Sequence, residues 1–492
     1  MSRLAGLAAL ALAATFTSPA AAQSETLLLR SPDLSAQHLT FTYAGDVWVA
    51  NRDGSNPKRL TSHPADAKNP LFSADGSMIA YTVNYDGNYD VFIIPVAGGQ
   101  PQRLTWHPGN DELVGFSPAG DYVYFTSPRE RRAGRSGQLY RVSVNGGLPE
   151  KISEARTFAG ALSEDGATYA NVPVRPAYNG LAGGSAGWRG YRGGAAPSVQ
   201  LINFDERSFT EIPGDRTTEW DPHFIDGQLY LISDRDDARL NVFRRNGDNS
   251  LTRITNETEF DVRAIGGEGG TLVYESGGRI HSLDLASGTS APLTISLNAD
   301  LPARMPGWRG VAAQVESLDI SPTGKRVAVT ARGEVFSVPV DKGSVRNISA
   351  SAAERDYSGL WSKDGSQLAY IEDNGSAQAI VIRDQSAIGE PRRIALGGDF
   401  NQLEAWQGDH IVFTDNTLRL RALDLTTGEI WTVATAQRRG IGGVDIAPKG
   451  RWLAFTQTQP NNNSALFLYD LEQRAGREVS GDWADIGAPT FS

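Results

Sequence analysis

The chain has no cysteine among its 492 residues. Disulfides, thiolate metal ligands and cysteine nucleophiles are therefore excluded. Histidine is nearly as scarce, with six in all. His63 and His107 both sit in the phrase RLT-x-HP, one repeat length apart, which marks them as a repeat feature. His38, His223, His281 and His410 are scattered, without a carboxylate at ligand spacing. No metal and no cofactor are expected. An excess of positive charge is also missing. Lys and Arg total 46 against 57 Asp and Glu, a formal charge of −11, which argues against nucleic acid or an anionic membrane as the main partner. Paired carboxylates of the glycosidase kind cannot be singled out, because acidic residues occupy nearly every turn. Sustained helical periodicity is absent, and no apolar run is long enough to cross a bilayer. Glycine (53), proline (25) and tryptophan (10) are plentiful, while 40% hydrophobic and 21% charged residues are ordinary for a globular protein. This is the profile of a turn-rich all-β chain, too long for one core, so two domains are expected.

The first 22 residues stand apart. Arg3 precedes an apolar run from Leu4 to Phe16, followed by Pro19 and Ala20-Ala21-Ala22. The pattern predicts a secretory signal peptide over 1–22, cleaved after Ala22. The mature chain, starting at Gln23, is then exported to the periplasm or beyond, with no membrane span left.

The remainder repeats. A turn glycine recurs at 76, 120, 166, 227, 269, 324, 365, 408 and 450. Five positions after most of them comes an apolar or aromatic residue, such as Tyr81, Phe125, Tyr274 or Tyr370. The period of about 43 residues is that of a four-stranded propeller blade. In the copy beginning NPLFSADGSMIAYTV, the inner strand NPLFS turns at ADG into SMIAYTV. NYDGNYD then turns into DVFIIPV, and AGGQP into the edge strand QRLT. An all-β fold of tandem propellers is expected. Residues 23–297 make a six-bladed ring and 298–316 a Pro-punctuated linker. Residues 317–492 make four blades of a second ring plus one strand, GAPTFS (487–492). Four blades and a strand cannot close, and open blade faces are aggregation hazards. The chain is thus expected to be the front piece of a longer polypeptide. The 23–492 chain is expected to be poorly soluble or bound to chaperones, and a piece ending near Asn298 better behaved.

Catalytic motifs are weak. Gly183-Gly184-Ser185-Ala186-Gly187 spells G-x-S-x-G, but it lies in the Gly-rich insertion Pro176–Gly194, without the flanking strand and helix of a nucleophile elbow. Asp86–Asp90, DGNYD, lacks the Gly and Glu of a calcium loop and reads as a hairpin turn. Ser127–Gln138, SPRERRAGRSGQ, crowds Arg129, Arg131, Arg132 and Arg135 onto what the repeat marks as an exposed loop.

Blades of the form P-x-FS-x-DG-x-x-IAY resemble TolB-like propellers. ARGEVFSVPVDKGSVRNIS (Ala331–Ser349), followed by GLWSKDGSQLAYI, resembles the start of the second propeller of tricorn proteases. WRGYRGG (Trp188–Gly194) resembles a loop in the fourth blade of their first. Six blades, a Pro-containing linker and a second ring match in order. The resemblance implies large serine peptidases acting on oligopeptides, with a seven-bladed second ring. Their helical segment, PDZ domain and catalytic domain follow the propellers. None of those later parts is present, so no catalytic residue carries over, and the chain alone is expected to be inactive. The export signal departs from the cytosolic archaeal members. In the family, adjacent arginines of the first propeller anchor the substrate's C-terminal carboxylate, and Arg131-Arg132 is the matching pair. Self-association of the full-length protein stays open. Two other readings remain: a non-enzymatic TolB-like module binding a periplasmic protein or peptide, and the propeller of a prolyl-oligopeptidase-like enzyme. The second run of blades counts against the latter.

Overall fold

The computed structural model describes residues 25–130, 137–176, 189–214, 216–298, 300–301, 310–351, 353–397 and 400–492. The expected signal peptide, the G-x-S-x-G stretch and the Arg131-Arg132 pair lie outside them.

Among the described residues the chain forms ten four-stranded sheets, each in simple up-and-down order, so no strand crosses over. The first sheet comprises Arg30–Leu34, His38–Tyr43, Asp46–Asn51 and Lys58–Arg59. The innermost strands of the next five are Ala67–Phe72, Glu112–Phe116, Ala159–Leu162, Glu219–Ile225 and Val262–Glu268. Those of the last four are Val315–Ile320, Arg355–Trp361, Gln402–Gln407 and Ile441–Ile446. The chain divides into two compact units, 1–305 and 306–492, holding six and four of these sheets. Val315 already belongs to a strand, two residues inside the stretch expected as linker. The expected all-β propeller fold is what the structure shows.

Each repeat glycine makes the turn it was read for. All nine have positive φ, between 56° and 78°, which costs glycine nothing. The second strand that follows carries the buried aromatics: Tyr81, Phe125, Tyr274, Tyr370 and Phe413 are all under 2% exposed. Each such side chain contributes about 2–3 kcal/mol of burial between neighbouring sheets.

A polar staple ties the edge strand to the third strand. In the second sheet, Thr105 Oγ1 donates to Asp90 Oδ1 at 3.0 Å and accepts from Val91 N at 3.0 Å. Arg103 reaches Asp90 Oδ2 at 2.6 Å. Asp46, Thr61 and Arg59 repeat this in the first sheet, and Asn241 with Thr255 in the fifth. The recurring RLT is the source of this staple. The DGNYD turn leads into it, since its last residue is Asp90.

Sheets are joined by side chains of one inner strand that accept from the backbone of the next. Phe72 N donates to Asp33 Oδ2 (2.9 Å), Ile265 N to Asp221 Oδ2 (2.8 Å) and Trp361 N to Asp319 Oδ2 (2.7 Å). The first and sixth sheets are neighbours in this way too. Ser31 N donates to Glu275 Oε2 at 3.2 Å and Leu29 N to Gly278 O at 3.1 Å. In the second unit, no strand follows Ala475–Glu478. Phe491 N in GAPTFS nevertheless donates to Asp445 Oδ2 at 2.8 Å, the contact that Trp361 makes with Asp319.

Candidate functional site

The inner strands of all six sheets of the first unit surround a cavity of about 580 Å³. Its position follows from the strand order. Inner strands start, second strands finish and third strands begin at one end of each sheet. The cavity is lined from the first halves of the inner strands, so it opens at that end.

The register of the inner strands decides what reaches it. In five of the six sheets a β-bulge interrupts the pairing of the inner strand with the second, as between Arg30 and Asp33, Lys68 and Leu71, or Trp220 and His223. Ser31, Asn69 and Asp221 sit in these bulges with φ of 49–50°. A bulge re-aims the side chains around it. The fourth sheet has none, and its strand carries only small groups here, Ala159-Gly160-Ala161. An added Cβ on Gly160 would lie 2.4 Å from Ala170 O and 2.6 Å from the Tyr169 ring.

The walls are charged. Lys68 pairs with Glu112 at 2.9 Å and lies 3.7 Å from the centre of the Tyr89 ring. Tyr89 in turn donates to Asp66 at 3.1 Å. Arg30 reaches Glu275 at 3.5 Å. Arg175, Arg263, Asp221 and His223 complete the ionisable lining, with Phe158 and Trp220 (ring centres 5.9 Å apart) as its aromatic part. Burial pushes the carboxyls of Glu112 and Glu275 upward against the pull of their cations. It pushes Asp221 up to about 7, with only the Ile265 N–H opposing. Deeper in, His223 Nε2 of the fifth sheet comes within 3.8 Å of Asp33 Oδ1 of the first. Gly266 of the intervening sixth sheet adjoins that strand so closely that a Cβ would meet Pro32 O at 2.5 Å.

Of the ionisable lining, the sequence singles out only His223, and there as a scattered histidine. A signal existed, because Arg30, Lys68 and Glu112 open successive inner strands at one register position. They pair with Thr42, Thr82 and Thr126. The arginine-rich loop is only partly open to description. Its first arginine, Arg129, holds the buried Asp111 at 2.8 Å and stacks over Phe125 and Tyr140. Arg235 holds Glu219 in the same way in the fifth sheet. Arg129 is thus a structural residue. Glu130 pairs with Lys151 at 2.6 Å. Of the WRGYRGG segment, Arg192 binds Asp234 through both Oδ2 (2.9 Å) and the carbonyl (2.8 Å), and Arg189 pairs with Asp261. The described end of the insertion, from residue 189, is therefore strapped onto the fifth and sixth sheets.

A second cleft, about 760 Å³, opens between the fourth and fifth sheets at the opposite end, lined by turn residues such as Glu164 and by the strand ends Asn203 and Arg245. Most of its polar groups bind one another, as Gly227 N does Glu164 and Gln228 does Arg245 O. Among the described residues no group of three or more His, Asp or Glu is placed to hold a metal ion. No helix there is long and apolar enough to cross a membrane.

Comparison with known proteins agrees with this architecture. The chain is 25% identical over 463 residues to a protein of Streptomyces coelicolor named tricorn protease homolog 1, covering 88% of this chain and 41% of that one. It is 22% identical over 474 residues to a tricorn protease homolog of Saccharolobus solfataricus, covering 94% and 42%. The chain thus spans less than half the length of these relatives. A crystal structure of the tricorn protease superposes with a TM-score of 0.55 at 19% identity, covering 93% of this chain and 45% of that one, a likeness of fold. Residues 26–289, more than half of the chain, match the family described as the tricorn protease N-terminal beta propeller domain, and the chain belongs to that family.

Proposed function

We propose that this chain is the propeller portion of an exported tricorn-like serine peptidase. Its first unit gates and holds oligopeptides for a catalytic domain outside this chain. The observation that carries the reading is the cavity enclosed by six inner strands. It is lined by both charge signs and by aromatic rings, the chemistry that recognises peptide termini and mixed side chains. The loop bearing Arg131-Arg132 leaves Ser127 and returns at Gln138, at the same end of its sheet, which supports a role for the pair in anchoring a C-terminal carboxylate. The test is calorimetric binding of an oligopeptide and its C-terminally amidated twin to this chain. The free acid is expected to bind more tightly, and Arg131→Ala with Arg132→Ala to remove the difference. Equal binding of acid and amide in the unsubstituted protein sinks the anchor. Failure of both to bind sinks the holding role. Export is tested by expression with the native N-terminus, which is expected to yield a secreted chain starting at Gln23.

A further inference from the structure

We propose that the cavity of the first unit is selective for anionic peptides, retaining oligopeptides through their Asp or Glu side chains. This rests on the peptide-holding role above and names the substrate class of that site.

Four permanent cations converge on the cavity from separate parts of the ring. They are Arg30 of the first sheet, Lys68 of the second, Arg263 of the sixth, and Arg175 beyond the second strand of the fourth. The protein as a whole carries −11, so this concentration runs against its average charge. Three carboxyls share the lining, and each is held by the wall. Glu275 accepts from Ser31 N and its side chain is only 5% exposed. Asp221 accepts from Ile265 N, and Glu112 from Lys68. In the pair with Glu275 the cation is the more outward partner. Arg30 touches Glu275 at 3.5 Å, yet its side chain is half exposed, so its planar fork keeps donors facing the cavity. Charges facing a concave, low-dielectric wall act more strongly than on an open surface.

The far end of the ring has the opposite sign. Glu164 and Asp226 lie there in turns between first and second strands and Glu268 ends its inner strand, three acids against one nearby cation, Arg52. These acids lie close enough that Asp226 and Glu164 raise the Glu268 carboxyl, after burial itself. An acidic peptide is therefore attracted into the cavity and opposed beyond it, which favours retention over passage.

The test uses the whole chain and calorimetry, with N-acetylated, C-terminally amidated peptides in which Glu, Gln or Lys alternates with Ala. Blocked termini leave only side chains to be recognised. The Glu peptide is expected to bind about tenfold more tightly than the Gln peptide, and the Lys peptide most weakly. The preference is expected to shrink as salt rises from ~0.05 to ~0.5 M. Arg30→Gln, at a half-exposed side chain, is expected to reduce the preference severalfold with only a small loss of thermal stability, because Ser31 N still holds Glu275, and adding Arg263→Gln to abolish it. Arg131→Ala with Arg132→Ala is expected to leave it intact. Equal binding of the Glu and Gln peptides overturns the selectivity while leaving the holding role standing, and binding of none of the three overturns both. A preference that survives both cavity substitutions, or that vanishes with Arg131 and Arg132, overturns the assignment to this cavity.

Discussion

Asp90 joins three parts of one sheet through a single buried carboxylate: the start of the third strand, the hydroxyl of Thr105 and the guanidinium of Arg103. Removing it leaves the Thr105 hydroxyl without its acceptor and a partly buried arginine with only the exposed Asp86 as its counter-charge. Asp90→Ala is expected to cost about 2–4 kcal/mol in denaturant unfolding. Asp90→Asn is expected to cost about 1 kcal/mol, because the fifth sheet uses Asn241 at this position with the same threonine contact. Asp221 presents the opposite case. Its carboxyl is raised by burial, then by Glu275 and Asp33, from 3.8 to about 7, so the folded protein holds the proton more tightly than the unfolded chain. Stability from this group is full below the unfolded value and is lost as pH rises through about 7. Asn at this position keeps an acceptor for Ile265 N and tolerates the φ of 49°. Asp221→Asn is therefore expected to raise the melting temperature at pH 8, with a much smaller effect at pH 5. An effect that is larger at pH 5 overturns the account.

At the scale of the strand and turn, the sequence was most readable where one residue type has one physical use. The glycines at 76, 120 and 365 were legible because only a residue without Cβ turns cheaply at positive φ. The aromatics five positions later were legible because they fill the same space between sheets in every copy. The recurring RLT was recognised as a blade feature, but its buried Asp partner lies some 13 to 15 residues upstream and stayed hidden. The cavity was hidden for a second reason. The inner strands do not keep period 2, since bulges at Ser31, Asn69 and Asp221 shift the alternation that assigns side chains to faces. Its lining residues also come from sites scattered across more than 240 positions, as Arg30 and Glu275 do. The unbulged strand of the fourth sheet gives its own prediction. Gly160→Ala sets a methyl group against the backbone oxygen of Ala170 and the ring of Tyr169, neither of which can turn aside. It is expected to cost about 1–3 kcal/mol and to shift the near-ultraviolet signal of the buried tyrosine.

At the scale of the whole molecule, the two units differ in how they treat their outermost inner strands. In the first unit, Arg30–Leu34 abuts the sixth sheet, and Leu34 is 4% exposed. In the second, Val315–Ile320 presents Leu318 at 65% and Ile320 at 66% exposure, while Val340 and Val345, in the connection between the third and edge strands of that sheet, are also exposed. Side chains of that size on a strand that elsewhere packs against a neighbouring blade form an apolar surface that water disfavours, about 25 cal/mol for each Å² left uncovered. This chain by itself is therefore expected to self-associate through the seventh sheet. The measurement is light scattering as a function of concentration, with dye binding to exposed apolar surface followed in parallel. Leu318→Lys with Ile320→Lys is expected to lower both signals without lowering the melting temperature, because these side chains have little packing to lose. The paired control, Leu34→Lys with Phe41→Lys in the closed first unit, is expected to unfold that unit, since Phe41 is fully buried. If the exposed-strand variant associates as strongly as the unsubstituted chain, the sticky surface lies elsewhere, and the open face of the seventh sheet does not govern association.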